Sequence, residues 1–156
     1  MTISSVDSPT IVIDAGLAAI TIRPDSSSGL VQELWAGWRA AGAELYAPHL
    51  WRYEVTAFVR KSLALGEIEL EEAQAGLTAA LALDITLVPA DEALCLSALT
   101  WAGRLKQKVA YDGFYLALAS RLQADFWSTD RRLVNSARQT GVRWVHWVGE
   151  FATGAA

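Results

Sequence analysis

The sequence predicts an α/β domain in which a central parallel sheet is flanked by helices. Three observations predict it. Short apolar runs of strand length alternate along the chain with longer stretches of helical periodicity. The short runs are apolar at successive positions, as in strands covered on both faces. Hydrophobic residues make up 53% and charged residues 19% of the 156, a globular composition with enough apolar material for one substantial core.

The elements follow in order. Ile11-Val12-Ile13 is a β-branched run ended by Asp14 and reads as a buried strand, with a short helix over Ala15 to Ile20 after it. Pro24, three serines and Gly29 mark Arg23 to Gly29 as a loop. Leu30, Leu34, Trp35 and Trp38 then share one face of a helix ending near Ala41. Glu44 to Ala47 is a short strand, and Pro48 opens a helix that runs to about Leu65, where Gly66 stops it. A helix over Leu70 to Leu83, a buried strand over Ile85 to Val88, and a helix from Pro89-Ala90-Asp91 to about Ala102 come next. Tyr111 to Gln123 is an Ala- and Leu-rich helix, and Asp125 to Ser128 a strand. Asp130 to Gln139 is a helix closed by Gly141, and Val142 to Val148 the last strand. Residues 1–9 and 149–156 read as short tails around a single domain over 10–148, with no internal repeat or linker.

No stretch approaches the roughly 18 uninterrupted apolar residues of a membrane span, so no membrane partner is expected. The polar start, Met1 to Pro9, lacks the basic segment of a signal peptide. The single cysteine, Cys95, lies in an apolar helical pattern and is expected in the core; it cannot form an internal disulfide. Together these features favour the cytoplasm. Seven tryptophans enrich the apolar share and fit either a rich core or a buried subunit interface, with Trp35 and Trp38 the candidates for a homodimer surface.

The net charge of −4 is not that of an obvious nucleic-acid binder, but the charge is segregated. Ser62 to Gly103 holds seven acids and no bases, whereas Arg104 to Trp147 holds eight bases and three acids. The second part can meet a phosphate backbone locally or form an ordinary solvated face.

Open α/β sheets bind ligands outside the carboxyl ends of their strands. Asp14 follows the first strand directly, Asp130 lies just beyond the strand containing Phe126 and Trp127, and Asp112 opens a helix that its other residues would bury. Each aspartate also reads as a helix N-cap, a role compatible with binding a metal. Glu54 lies inside a helix, with Leu50 and Trp51 one turn before it and Ala57 and Phe58 one turn after. Its carboxylate therefore sits on or beside an apolar stripe and needs a metal ion, an arginine or hydrogen bonds to offset burial. As a set, the four carboxylates can converge on one or two hard divalent cations such as Mg2+, which prefer oxygen ligands. The lack of a His/Cys cluster argues against zinc. Asp14-Ala15-Gly16-Leu17 lacks the glycines of a dinucleotide turn and the second aspartate of an aspartyl phosphatase, and there is no P-loop or G-x-S-x-G elbow.

Four segments resemble the PIN-domain family and, within it, the VapC-like toxins. Ile11-Val12-Ile13-Asp14-Ala15 resembles the opening strand and first aspartate. Ala47-Pro48-His49-Leu50-Trp51-Arg52-Tyr53-Glu54-Val55 resembles the glutamate-bearing segment. Tyr111-Asp112-Gly113-Phe114-Tyr115-Leu116-Ala117-Leu118-Ala119 and Ser128-Thr129-Asp130-Arg131-Arg132-Leu133 resemble the third and fourth acidic motifs. The resemblance spans about Thr10 to Val148 in order. Departures are Gly16, where Ser or Thr often supplies a supporting hydroxyl, Gly113 in place of a small helix former, Trp127 just before the fourth motif, and Ser128 where Thr is common.

The resemblance implies a PIN-like three-layer sandwich, an RNA-cleaving site dependent on Mg2+ or Mn2+, a homodimer, and an antitoxin whose tail covers the groove. The expected function is that of a metal-dependent endoribonuclease, the toxin of a type II toxin–antitoxin pair. Asp14, Glu54, Asp112 and Asp130 are the expected catalytic and metal-binding residues. Lys106, Lys108, Arg131 and Arg132 are candidates for guiding RNA phosphates, the alternative being plain solvated surface charge. The alternative is a non-catalytic PIN-like module that binds RNA or a protein.

Overall fold

The computed structural model describes residues 8–151. Five parallel strands form one sheet in the order β3-β2-β1-β4-β5: β1 (Thr10–Ile13), β2 (Glu44–Pro48), β3 (Thr86–Val88), β4 (Asp125–Ser128) and β5 (Val145–Trp147). Among the described residues the helices are α1 (Ala15–Ile22), α2 (Ser28–Ala40), α3 (Leu50–Ala64), α4 (Leu70–Leu81), α5 (Glu92–Arg104), α6 (Tyr111–Leu122), α7 (Arg131–Gln139) and α8 (Val148–Phe151).

The alternating side chains of the central strands divide the core into two layers. Val12 and Phe126 point into one, with Trp51 and Val55 of α3, Leu94 and Ala98 of α5, Leu116 of α6 and Val134 of α7. Ile11, Ile13 and Trp127 point into the other, with Leu17 of α1, Val31, Leu34 and Trp38 of α2, and Val148. This is the expected three-layer sandwich, and burial on both faces is why β1 is apolar at consecutive positions. Gly66 and Gly141 follow α3 and α7 with φ of +69° and +96°, the left-handed conformation that ends a helix without strain only at glycine.

Several boundaries differ from the sequence reading. Pro48 closes β2 instead of opening a helix: it pairs with Val88, and the His49 N–H donates to the Val88 carbonyl at 3.0 Å before α3 begins. Part of the expected loop over Arg23 to Gly29 is helical, because Asp25 Oδ1 accepts the Ser27 N–H at 2.7 Å and builds the turn that starts α2. The last strand is only Val145–Trp147. Ordered structure continues past Val148 into α8, where the Arg138 guanidinium grips both Glu150 oxygens and the Val145 carbonyl. Of the tails expected over 1–9 and 149–156, residues 1–7 and 152–156 lie outside the described residues. The Pro9 carbonyl already accepts the Glu44 N–H at 2.8 Å.

One expectation about an apolar residue is corrected, and one open alternative is narrowed. Cys95 is exposed, not in the core. Helix α5 buries the stripe Leu94, Ala98, Trp101 and Ala102, and Cys95 is turned outward beside Leu96 and Leu99, which are 59% and 66% exposed. Trp38 does not need a partner to cover it: it is buried in the monomer, edge-on to both Trp35 and Trp127. Among the described residues no helix is long and apolar enough to cross a membrane.

Candidate functional site

The chain winds from β1 through β2 to β3 on one side of the sheet and returns as β4 and β5 on the other. The direction of winding therefore reverses between β1 and β4, and the crevice outside their carboxyl ends is where such sheets bind ligands. Asp14 stands there at the end of β1. Its N–H donates to the Trp127 carbonyl of β4 at 3.2 Å, and its own carbonyl accepts the Trp51 indole N–H from α3 at 3.3 Å.

The Asp14 carboxylate is fixed by both flanking elements. Oδ1 accepts the Leu17 N–H at 3.2 Å, which caps α1 as the sequence suggests. Oδ2 accepts the Ser128 hydroxyl at 2.5 Å and the Thr129 N–H at 3.2 Å. Ser128, fully buried, also accepts the Asp130 N–H at 2.9 Å, so one hydroxyl ties two of the acids together. Asp130 caps α7 through the N–H groups of Arg132 and Leu133.

Asp112 is not the helix cap that its place in the sequence predicts. Helix α6 begins at Tyr111, with Ala110 as the capping residue, so Asp112 lies within the first turn. Its Oδ2 accepts the Gln107 amide at 2.7 Å. Gly113 explains how it reaches the crevice. A Cβ there would overlap the Ala98 carbonyl oxygen and come within 3.3 Å of the Ala102 nitrogen, so only glycine lets the first turn of α6 lie directly on the α5 backbone. Gly16 has a comparable reason: the Thr129 side chain fills the space its Cβ would take, so a hydroxyl from position 129 occupies the place of one from position 16.

Glu54 projects from α3 beside the apolar stripe, half-buried between Trp51 and Val55. Its neighbour is not an arginine. Oε1 accepts the hydroxyl of Tyr115, a buried α6 residue stacked on Phe126.

The four acids feel one another. Asp14 is only half-buried by surface area, but protein packs around its carboxyl, and that loss of water pushes its pKa up to about 6. Hydrogen bonds from Ser128, Leu17 and Thr129 pull the other way, and the charge of Asp112 adds to the rise. Burial also raises Glu54, reinforced by Asp112 and Asp14 and opposed by the Tyr115 hydroxyl. Burial raises Asp112, with Asp130 adding to it and Gln107 opposing. Tyr115 is pushed well above its ordinary value by burial and then by the negative charge of Glu54. None of the four acids has an ion-pair partner among the described residues. Nor do any three His, Cys, Asp or Glu side chains among them gather closely enough to hold a metal ion as they stand.

Lys106, Arg131 and Arg132 are exposed, and so is Lys108. The Arg131 guanidinium lies 5.0 Å from the Trp147 ring centre, while the other three have no ion pair among the described residues. Sequence reasoning assigns no role to Tyr115, Gln107 or Ser128 as partners of the acids. Tyr115 and Ser128 lie inside the acidic motifs, the one signal that points to them; Gln107 has none.

No family model and no curated protein matches the chain. Solved structures are similar to it. VapC20 of Mycobacterium tuberculosis, described as a sarcin–ricin-loop-cleaving toxin, matches with a TM-score of 0.61 at 15% identity, over 81% of this chain and 94% of that one. The protein PAE2754 of Pyrobaculum aerophilum matches with a TM-score of 0.66 at 17% identity, over 95% of this chain and 90% of that one. VapBC2 of Rickettsia felis, solved on a DNA fragment from its promoter, matches with a TM-score of 0.61 at 13% identity, over 88% of this chain and 98% of that one. The five-stranded parallel sheet, its flanking helices and these matches together give the chain a PIN-domain, VapC-like fold.

Proposed function

We propose that the protein is a metal-dependent endoribonuclease and the toxin of a toxin–antitoxin pair. The observation that carries this reading is the linked set Asp14, Glu54, Asp112 and Asp130. These carboxylates stand at the carboxyl end of the sheet with no counter-cation among the described residues, and the pKa values of the first three are raised. Hydrogen bonds offset their burial in place of salt bridges, which leaves the negative charge of the cluster uncompensated and open to a cation. An all-oxygen donor set suits Mg2+ or Mn2+, and Mg2+ usually keeps several of its waters.

Asp14, clamped by Ser128, Thr129 and Leu17, is the rigid anchor of the set. Glu54 and Asp112 are each held by one neutral donor and keep an oxygen for a cation or a water. Asp130, exposed at the start of α7, would meet an entering substrate. A bound divalent cation supplies positive charge opposite the phosphate and makes water a better nucleophile. Lys106, Lys108 and Arg132, all exposed, would steer the phosphate backbone in this reading, whereas Arg131 is engaged with Trp147. A cytoplasmic location, a homodimer and an antitoxin belong to this reading, the last supported by the toxin–antitoxin assemblies among the structural neighbours. An antitoxin arginine can enter the acid cluster and compete with the cation for the same oxygens.

One observation favours a second reading, a non-catalytic RNA- or protein-binding module: among the described residues no three acids form a ready-made ligand set. Purified protein incubated with total RNA in Mg2+, Mn2+ or EDTA separates the two. The nuclease reading expects cleavage that EDTA abolishes and that Asp14→Asn and Asp112→Asn each reduce at least about a hundredfold. Cleavage that survives both substitutions sinks it, as does intact RNA under every condition.

A further inference from the structure

A track of exposed aromatic side chains passes beside Glu54. Leu50, Tyr53, Glu54 and Ala57 of α3 and Tyr111 of α6 line a cleft of about 410 Å3. Tyr53 and Tyr111 immediately precede Glu54 and Asp112, and they are 72% and 58% exposed. The cleft is mostly apolar and its lining contains no basic group, so it does not suit a phosphate. It suits a flat, uncharged ring.

Basic side chains lie near both tyrosines: Arg52 beside Tyr53 in the chain, and Lys106 and Lys108 a few residues before Tyr111. Tyr53 also lines the neighbouring cleft, of about 400 Å3, together with His49 and Arg52. Exposed Lys106 and Lys108 lie on the connection between α5 and α6 that leads into Tyr111. Aromatic platforms alternating with basic groups are what a single-stranded nucleic acid requires, because every base has a stackable face and every phosphate a charge. A duplex keeps its bases stacked on one another and cannot offer them to tyrosines.

We propose that this track is a path for single-stranded RNA, with unpaired bases stacked on Tyr111 and Tyr53 beside Glu54 and the flanking phosphates held by Arg52 and Lys108. The proposal rests on the ribonuclease reading for its substrate class, and it adds that the protein selects unpaired segments through base faces without reading base edges. A protein segment docking on the same tyrosines is the competing outcome.

The test is binding of labelled short oligouridylate, an abasic ribose-phosphate strand of equal length and an RNA duplex, measured by fluorescence anisotropy in EDTA so that nothing is cut. The native protein, the Tyr53→Ala/Tyr111→Ala pair and the Tyr53→Phe/Tyr111→Phe pair are compared, with thermal melts to verify their folds. Oligouridylate is expected to bind at least about tenfold more tightly than the abasic strand or the duplex. The alanine pair should abolish that difference and the phenylalanine pair retain it. Equal binding of base-bearing and abasic strands, an alanine effect of the same size on both, or no binding of any strand overturns the path. Because the readout needs no cleavage, tyrosine-dependent base preference without nuclease activity would defeat the nuclease reading alone. Cleavage that ignores both tyrosines would defeat the path alone.

Discussion

At the scale of single residues, Asp14 couples chemistry to stability. Its folded pKa of about 6 lies above the ordinary 3.8. Below about pH 4 it is protonated in both folded and unfolded chains. Between about pH 4 and 6 the unfolded chain releases the proton while the fold retains it, so rising pH removes stability, by at most about 3 kcal/mol, and above that window the loss is complete. The stability of metal-free protein in urea should therefore fall across this range relative to that of Asp14→Asn, whose side chain does not titrate. The amide introduced by that substitution would set its NH2 against the Thr129 N–H or the Leu17 N–H, which adds a constant offset, so the slope is the informative quantity. Parallel curves would mean that water reaches the carboxyl freely. Sequence pattern exposes the four acids because each sits where a local rule is broken or used: a strand end, a helix start, an apolar stripe. It cannot expose the Ser128 hydroxyl on Asp14 or the Tyr115 hydroxyl on Glu54. Those pairs join residues 114 and 61 positions apart, and no local periodicity encodes them.

At the scale of elements, the close approach of α5 and α6 sets the position of Asp112. Two glycines on these helices make a controlled comparison. Gly113→Ala drives a methyl into the backbone of α5, which has no side chain to move aside, and should cost about 1–3 kcal/mol in chemical denaturation while displacing Asp112 and lowering any metal affinity. Gly103→Ala meets nothing within 4 Å and should be neutral or stabilising by up to about 1 kcal/mol through helix propensity. Equal effects would mean that the contact at Gly113 relaxes easily. The errors in reading α5 and its neighbours share a cause. Periodicity identifies an apolar stripe but not its width: α5 buries Leu94 and Ala98 yet leaves Cys95, Leu96 and Leu99 in solvent. Proline is similarly ambiguous, since Pro48 suits the first turn of a helix and also the end of a strand.

At the scale of the whole molecule, the fold concentrates mutually repelling carboxylates at one end of a sheet. A divalent cation that binds only the folded protein must then stabilise it. At a hundredfold excess over its dissociation constant the gain is about 2.7 kcal/mol, or about 5–10 °C in melting temperature for a domain of this size. Scanning calorimetry with Mn2+, reversed by EDTA, checks this, and an unchanged melt would argue that the acids act separately. The sheet is legible as a whole because alternation of element types dictates parallel strands, but strand order is not, since which strands adjoin depends on pairings between distant segments. The pairing of β1 with β4 carries one more consequence, for synthesis. Residues 11–13 align with 125–127, and Asp14 has no Ser128 to orient it until that late strand has been made. A growing or prematurely terminated polypeptide can hold Asp14, Glu54 and Asp112 and still lack the strand that completes their arrangement. Until β4 and the residues after it have emerged, Asp14 therefore lacks the Ser128 hydroxyl and the Thr129 N–H that orient its carboxylate.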